Sequence, residues 1–274
     1  MRGTFDGLIL RESAYGESDK LLTVLTADEG KVFMIAKGVR SLKSKNMSLC
    51  RLFTYANFEY YEKNGKRWLA GGSVHDSFFG LAADIEAMAL ASYVVDVAAE
   101  VTGEGVEARE MLRVTLNTLY AIEKNIKPLP LIKGAFELFA AFRSGYEPEL
   151  TECAECHSAP TGEVWLDVMN GALLCGECMK KRNKGGAVMP ELDAYLSKNI
   201  LLPLSPALLF AVRYIDSASP SRLFAFELKE DRDLADLSRI GEIYLQNHLE
   251  RGFDTLSFYR AVCEPPKISF EEKR

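Results

Sequence analysis

The chain has 274 residues, 48% hydrophobic and 26% charged, which excludes a mostly disordered chain, a collagen-like chain and a coiled-coil rod. At roughly 100–200 residues per domain, this length implies two or three domains. The net charge of −6 is unevenly spread: residues 1–80 hold 12 basic and 9 acidic side chains, and the remainder holds 21 and 30, an asymmetry that points to a polyanion-binding N-terminal part.

The first 80 residues read as β structure. Apolar, β-prone runs recur at 7–10, 21–26, 32–36, 52–61 and 68–74, separated by glycine or polar clusters. Asn64-Gly65 between the last two runs is a hairpin signal. Five short strands fit a small barrel, and an OB-fold has that count. The character changes at Leu81. Helical spacing of apolar residues runs over 82–101, over 107–125 and, after Pro128 and Pro130, over 131–143. Phe136, Phe139 and Phe142 form an aromatic stripe that reads as core. Residues 151–182 hold four of the six cysteines, and Gly185-Gly186 and Pro190 make a linker. Helices are expected again over 191–200, 206–215 and 232–251, and a loose tail thereafter. The expected fold is therefore α+β and multidomain. An OB-fold β-barrel (1–80) precedes a helical domain (81–150), which carries a zinc ribbon insert (151–184); helices over 185–252 complete the helical domain, and 253–274 form the tail.

The cysteines give the sharpest chemical signal. Cys153-x2-Cys156 is followed, 18 residues on, by Cys175-x2-Cys178, the spacing of a four-thiolate zinc site. The runs 164–166 and 172–174 flank the turn Asn170-Gly171 and supply the hairpin that brings the two pairs together. Four thiolates leave no position for water, so such a site is structural and not catalytic. His157, next to Cys156, is an outer neighbour of that site, and Cys50 and Cys263 read as small buried apolar residues.

Charge gives the second signal. Between Glu29 and Glu59 there is no acidic residue, while Lys31, Lys37, Arg40, Lys43, Lys45 and Arg51 all fall there. Cations at backbone spacing, with Gly38, Ser41 and Ser44 allowing close approach, suit phosphate, and an OB-fold presents such loops to oligonucleotides. Phe33, Phe53, Tyr55 and Tyr61 can either stack on bases or fill the barrel. A second basic cluster spans 180–184.

Catalytic patterns do not emerge. There is no P-loop and no His-Glu-x-x-His; Gly103-x-Gly105-x-x-Ala108 follows a helix where a dinucleotide fingerprint needs a strand; and three histidines give a hydrolase triad little support. The expectation is a binding protein and not an enzyme. No apolar run reaches the ~18–20 residues of a membrane span, and the start lacks a leader's pattern, so a cytoplasmic location is expected. An RNA-binding or transcription-associated protein is the alternative that these residues leave open.

The N-terminal block resembles the bacterial RecO family of DNA repair proteins. The matching residues are Gly7-Leu8-Ile9-Leu10, then Tyr15-Gly16-Glu17-Ser18-Asp19-Lys20, Thr26, Gly30, and above all Lys37-Gly38-Val39-Arg40 with Lys43-Ser44. The switch at Leu81, the four-cysteine insert and the late Tyr244-Leu245, His248-Leu249 and Leu256-Ser257-Phe258 follow in the same order. The resemblance implies a recombination mediator that binds single- and double-stranded DNA and anneals complementary strands. With RecR, it would assist RecA loading on DNA coated by single-stranded DNA-binding protein (SSB). It places DNA contacts at Lys37, Arg40, Lys43 and Lys45 and one structural Zn²⁺ at Cys153, Cys156, Cys175 and Cys178. Some members grip the acidic SSB tail through the helical domain. Here residues 81–147 hold 10 acidic and 6 basic side chains, and Lys133 and Arg143, near Phe136 and Phe139, are the local candidates. Two positions depart from the family's pattern: 49–53 reads Leu-Cys-Arg-Leu-Phe where a proline is common, and His157 stands where a glycine usually follows the knuckle.

Overall fold

A computed structural model describes residues 2–41, 43–184 and 200–263. Two compact units divide the chain. One runs to Ile126 and is rejoined from Gly252; the other is Lys127–Arg251.

In the first unit, β1 (Arg2–Tyr15), β2 (Asp19–Thr26), β3 (Gly30–Ala36), β4 (Tyr55–Lys63) and β5 (Lys66–Asp76) close a barrel in the order β1-β2-β3-β5-β4. All neighbours are antiparallel except β3 and β5, which pair in parallel at Met34–Arg67 and Ile35–Trp68. All five runs expected as strands fall on strands, although the fourth, 52–61, begins in a turn and enters β4 only at Tyr55. Their alternation fills the barrel with Ile9, Leu22, Val24, Met34, Ala56 and Phe58, each fully buried. The Asn64-Gly65 turn joins β4 to β5 with φ of 53° and 68°. Both residues of such a two-residue turn need the left-handed region, which asparagine and glycine tolerate best.

Two helices follow the barrel. α1 (Ile85–Val101) is capped by Asp84, whose carboxylate accepts from the amides of Glu86 and Ala87. α2 (Arg109–Glu123) comes after the Gly103–Gly105 segment. That segment pairs with the β2–β3 turn: Lys31 N donates to Gly103 O at 2.9 Å, and Gly105 N to Glu29 O at 2.9 Å. Both helices pack in the barrel's unit, with Arg11 of β1 bonded to Asp96 of α1 at 2.8 Å. The break expected at residue 80 is thus a change of secondary structure, while the compact units part after Ile126. The expected tail also needs correction. Residues Asp254–Cys263 form a helix (α7) that buries Leu256 and Tyr259. Phe253 meets Tyr93 of α1 edge-on at 5.5 Å, and Thr255 donates to Asp96 at 3.0 Å.

The second unit is built on α3 (Leu129–Ala141) and α6 (Asp231–Leu249). They cross closely: a Cβ on Gly134 would lie 2.6 Å from Leu237 O, and one on Gly241 would lie 2.7 Å from Gly134 O. Phe136, Phe139 and Phe142 are buried, as expected of a core stripe. α5 (Pro206–Ser217) starts on Ser205, which caps Leu208 N, with Pro206 in the first turn. A four-stranded sheet, β6 (Glu149–Cys153), β7 (Val164–Asp167), β8 (Ala172–Cys175) and β9 (Leu201–Leu204), has the order β6-β8-β7-β9, and α4 (Gly176–Lys184) follows β8. The hairpin expected around Asn170-Gly171 is β7–β8. The linker residues 185, 186 and 190, residues 191–199 of the expected helix, and 264–274 lie outside the described residues.

Candidate nucleic-acid interface and metal centre

The basic stretch leaves β3 at Ala36 and returns to the barrel at Tyr55. It is not a slack loop. Val39, Leu49 and Cys50 are 2%, 4% and 0% exposed and belong to the barrel core. Burial pushes the Cys50 thiol up to about 12, as for a group packed among apolar neighbours. Between and beside these anchors Lys37, Arg40, Lys43, Lys45 and Arg51 are exposed. A second set of bonds ties the loop to the β1–β2 turn. Arg40 N donates to Ser18 O at 3.0 Å, the Arg40 guanidinium donates to Glu17 O at 3.0 Å, and Gly38 N donates to the Asp19 carboxylate at 2.8 Å. The cations are therefore held on a frame, and Arg40 serves both frame and surface. Arg51 lies over the exposed Phe79 ring at 5.8 Å.

Lys31 does not join this group. It opens β3, while the loop leaves the strand's far end, about 20 Å away at ~3.3 Å per residue. Its ammonium donates to Ala99 O at 2.8 Å, near the end of α1. Of the four aromatic candidates, Phe53 is 3% exposed, because a φ of 66° turns its backbone and sends the ring inward. The segment that departs from the family pattern thus runs from the end of a short 3₁₀ turn (Ser48–Cys50) through extended Arg51 to that left-handed residue. Tyr55 is half-buried against His75, whereas Phe33 and Tyr61 stay exposed. In the second basic cluster, Lys180 pairs with Glu177 at 3.2 Å and Arg182 with Glu155 at 2.6 Å.

The four cysteines converge. Cys153 ends β6, Cys156 sits on the turn after it, Cys175 ends β8 and Cys178 lies in the first turn of α4. Their sulfurs all lie within 4.8 Å of one another, and Cys156 and Cys175 are 3.8 Å apart. A tetrahedral Zn–S bond of about 2.3 Å requires S···S edges of about 3.8 Å. A disulfide needs about 2.05 Å, and all four thiols are free. Burial raises the Cys153 thiol, but backbone N–H groups of Cys175, Cys156 and Glu155 aimed at it outweigh this and hold it at about 6. The group is thus a set of four sulfurs at the right spacing for a metal ion. His157 stands outside it, bonded to Glu152 at 2.8 Å. Its φ of 56° is a conformation in which glycine would be unstrained. Cys263, expected to be buried, is exposed on α7.

Lys133 is closed to an acidic tail, whereas Arg143 keeps an exposed guanidinium. Lys133 is 2% exposed and lies between Glu137 and Glu242 at 3.0 and 2.9 Å. Arg143 donates to Asp216 O at 2.6 Å and covers Phe139, itself fully buried.

A closed five-stranded barrel with a cationic loop, followed by helices and a four-thiol ribbon, defines a multidomain OB-fold protein with a four-cysteine insert placed to hold a metal ion. Comparison with known proteins narrows this. Models for the N-terminal and C-terminal parts of recombination protein O match residues 1–78 and 82–257. The chain belongs to the RecO family, and membership gives it a role in DNA repair and recombination. It is 26% identical to a DNA repair protein RecO from Acetivibrio thermocellus over 93% of this chain and 95% of that one. It is 34% identical to one from Anaeromyxobacter dehalogenans over 65% of this chain and 70% of that one. No helix among the described residues is long and apolar enough to cross a membrane.

Proposed function

We propose that the chain is a recombination mediator of the cytoplasm and nucleoid that binds single- and double-stranded DNA and anneals complementary strands. With RecR it would assist RecA loading onto SSB-coated single strands. The observation that carries this reading is the anchored loop, on which Lys37, Arg40, Lys43, Lys45 and Arg51 are exposed while Val39, Leu49 and Cys50 are locked in the barrel. Annealing two strands requires their phosphates to be screened while their bases stay open to pairing. A preformed row of cations does this without any bond-making chemistry, so no catalytic residue is assigned. Zn²⁺ is the proposed occupant of Cys153, Cys156, Cys175 and Cys178, where it would hold the ribbon's turns together.

The salt dependence of binding tests the loop. Each phosphate neutralised contributes about −0.7 to the log–log salt slope on single strands. Replacing Lys37, Lys43 and Lys45 by glutamine leaves the Arg40 ties intact and should flatten the slope by about 2. An unchanged slope would move the DNA surface elsewhere. Annealing of labelled strands coated with SSB, with and without RecR, tests the mediator step. No acceleration in either mixture would reject it.

A further inference from the structure

One carboxylate stands at the root of the cationic loop. Asp19 opens β2 and is half-buried. Its Oδ1 accepts from Gly38 N at 2.8 Å and from the Ser18 hydroxyl at 3.2 Å. Lys37 precedes Gly38 and Arg40 follows it, yet Asp19 forms no ion pair among the described residues. A negative charge here repels the phosphates that the loop would bind. Its bond to a backbone amide has the opposite value, because an ionised acceptor makes a stronger bond than a neutral one.

That bond falls where the loop is otherwise loosest. Gly38 has a φ of 66°, and no atom lies within 4 Å of where its Cβ would be, so no packing holds it. Glycine is also the residue with most backbone freedom to lose. Val39 is anchored in the barrel, and the Asp19 bond keeps Lys37 and Gly38 from pivoting about it. The neighbouring residue holds the loop's other end. Lys20 is half-buried, pairs with Glu12 at 2.5 Å and donates to Cys50 O at 3.2 Å. Asp19 and Lys20 are themselves fixed in the sheet, opposite Tyr15 of β1 and Ala36 of β3. Two consecutive residues of β2 thus grip, at Gly38 and at Cys50, the two ends of the segment that carries Lys43 and Lys45.

We infer that Asp19 is a positioning residue for DNA binding: it orders the cationic loop before DNA arrives, although its own charge repels phosphate. The inference rests on the loop's proposed DNA binding, and it reverses what charge alone predicts. By charge, removing Asp19 strengthens binding. By position, removing it weakens binding, because the loop must then be ordered as DNA binds.

The test measures the full chain's affinity for a labelled oligothymidylate across a salt series. Asp19→Ala should bind about tenfold more weakly at every salt concentration, the affinity lost when ordering about one backbone residue is deferred to binding. Its log–log slope should stay that of the wild type, because the same cations meet the same phosphates. Asp19→Asn keeps the acceptor and drops the charge, so it should bind at least as tightly as the wild type. Titration at high protein concentration counts the active molecules. Fewer active molecules with unchanged affinity would mean that Asp19→Ala only unfolds the barrel, and would overturn the inference. Equal or tighter binding by Asp19→Ala, or an Asp19→Asn as weak as the alanine variant, would overturn it while leaving the loop's role standing. Wild-type binding that does not fall with salt would overturn both.

Discussion

The barrel and the cysteine ribbon are both small β structures, and they are held together by different means. The barrel closes around aliphatic and aromatic side chains, Leu22, Val24, Met34 and Phe58 among them. The ribbon's cluster consists of Cys153, Leu174 and Cys178, with Trp165, Cys175, Met179 and Leu201 packed against it. Three of those seven residues are the candidate metal ligands, so the ligands stand where a larger domain has its core. A sheet this small cannot bury enough apolar surface to hold itself without a staple. The same residue type does opposite work in the two regions: Cys50 packs as an apolar group in the barrel, while Cys153 is turned toward its thiolate by backbone amides.

The contrast breaks most visibly on removing metal. Chelation, or Cys175→Ser, should unfold the ribbon, since apparent zinc-binding energies of about 10–16 kcal/mol are folding energy in such modules. Hydrogen exchange should rise across 149–184 and stay unchanged in β1–β5. Protection that persists in the ribbon, with full metal content in the variant, would refute the four-thiolate assignment. Phe58→Ala is the converse experiment. It should cost the barrel about 3–5 kcal/mol in denaturant titration and leave the metal content intact. The turns sharpen the comparison on a smaller scale. Gly65→Ala should destabilise the barrel by about 1 kcal/mol, because its φ of 68° is strained for any side chain. His157→Gly, at a similar φ of 56°, should slow zinc loss from the ribbon by relieving strain of the same size, at the expense of the Glu152 bond.

The smallest effect is on pH. His248 stacks on Tyr146 at 4.7 Å in the ribbon's unit, and burial lowers its pKa below 6.5. The unfolded chain therefore takes up the proton first as pH falls. Stability of that unit should decline as pH drops through 6.5 and level off below the folded value, by less than about 1.4 kcal/mol per pH unit. His248→Gln should remove that contribution, and superimposable profiles for the two proteins would exclude it.

Local pattern explains what the sequence discloses. Apolar runs between glycine or polar clusters mark the five barrel strands, Asn64-Gly65 marks their hairpin, and the cysteine spacing marks the candidate metal group without further help. What it conceals depends on distant partners. α7 is an ordinary short amphipathic stretch until Tyr93 and Asp96, far earlier in the chain, give Phe253 and Thr255 something to meet. β6 pairs in parallel with β8, and β9 carries Pro203, so neither has a local signature. Charge is the least legible property of all. Lys31, Lys133 and Lys43 look alike in sequence, yet one binds a helix carbonyl, one is buried between two glutamates and one is exposed. Phe53 and Phe33 likewise differ only through a backbone turn at one and strand alternation at the other.

The closure of β3 on β5 has a consequence for how the barrel moves. Every other neighbouring pair runs through at least seven register positions, whereas this one has Met34–Arg67 and Ile35–Trp68. It is a seam between segments about 30 residues apart, and such non-local pairings form late in folding. Parting it gives up the fewest ladder bonds, so its amides should exchange with solvent before those of β1 and β2. The seam includes Trp68, which stacks with Tyr61, so the wall of the barrel is easiest to spread along the face that carries those two rings.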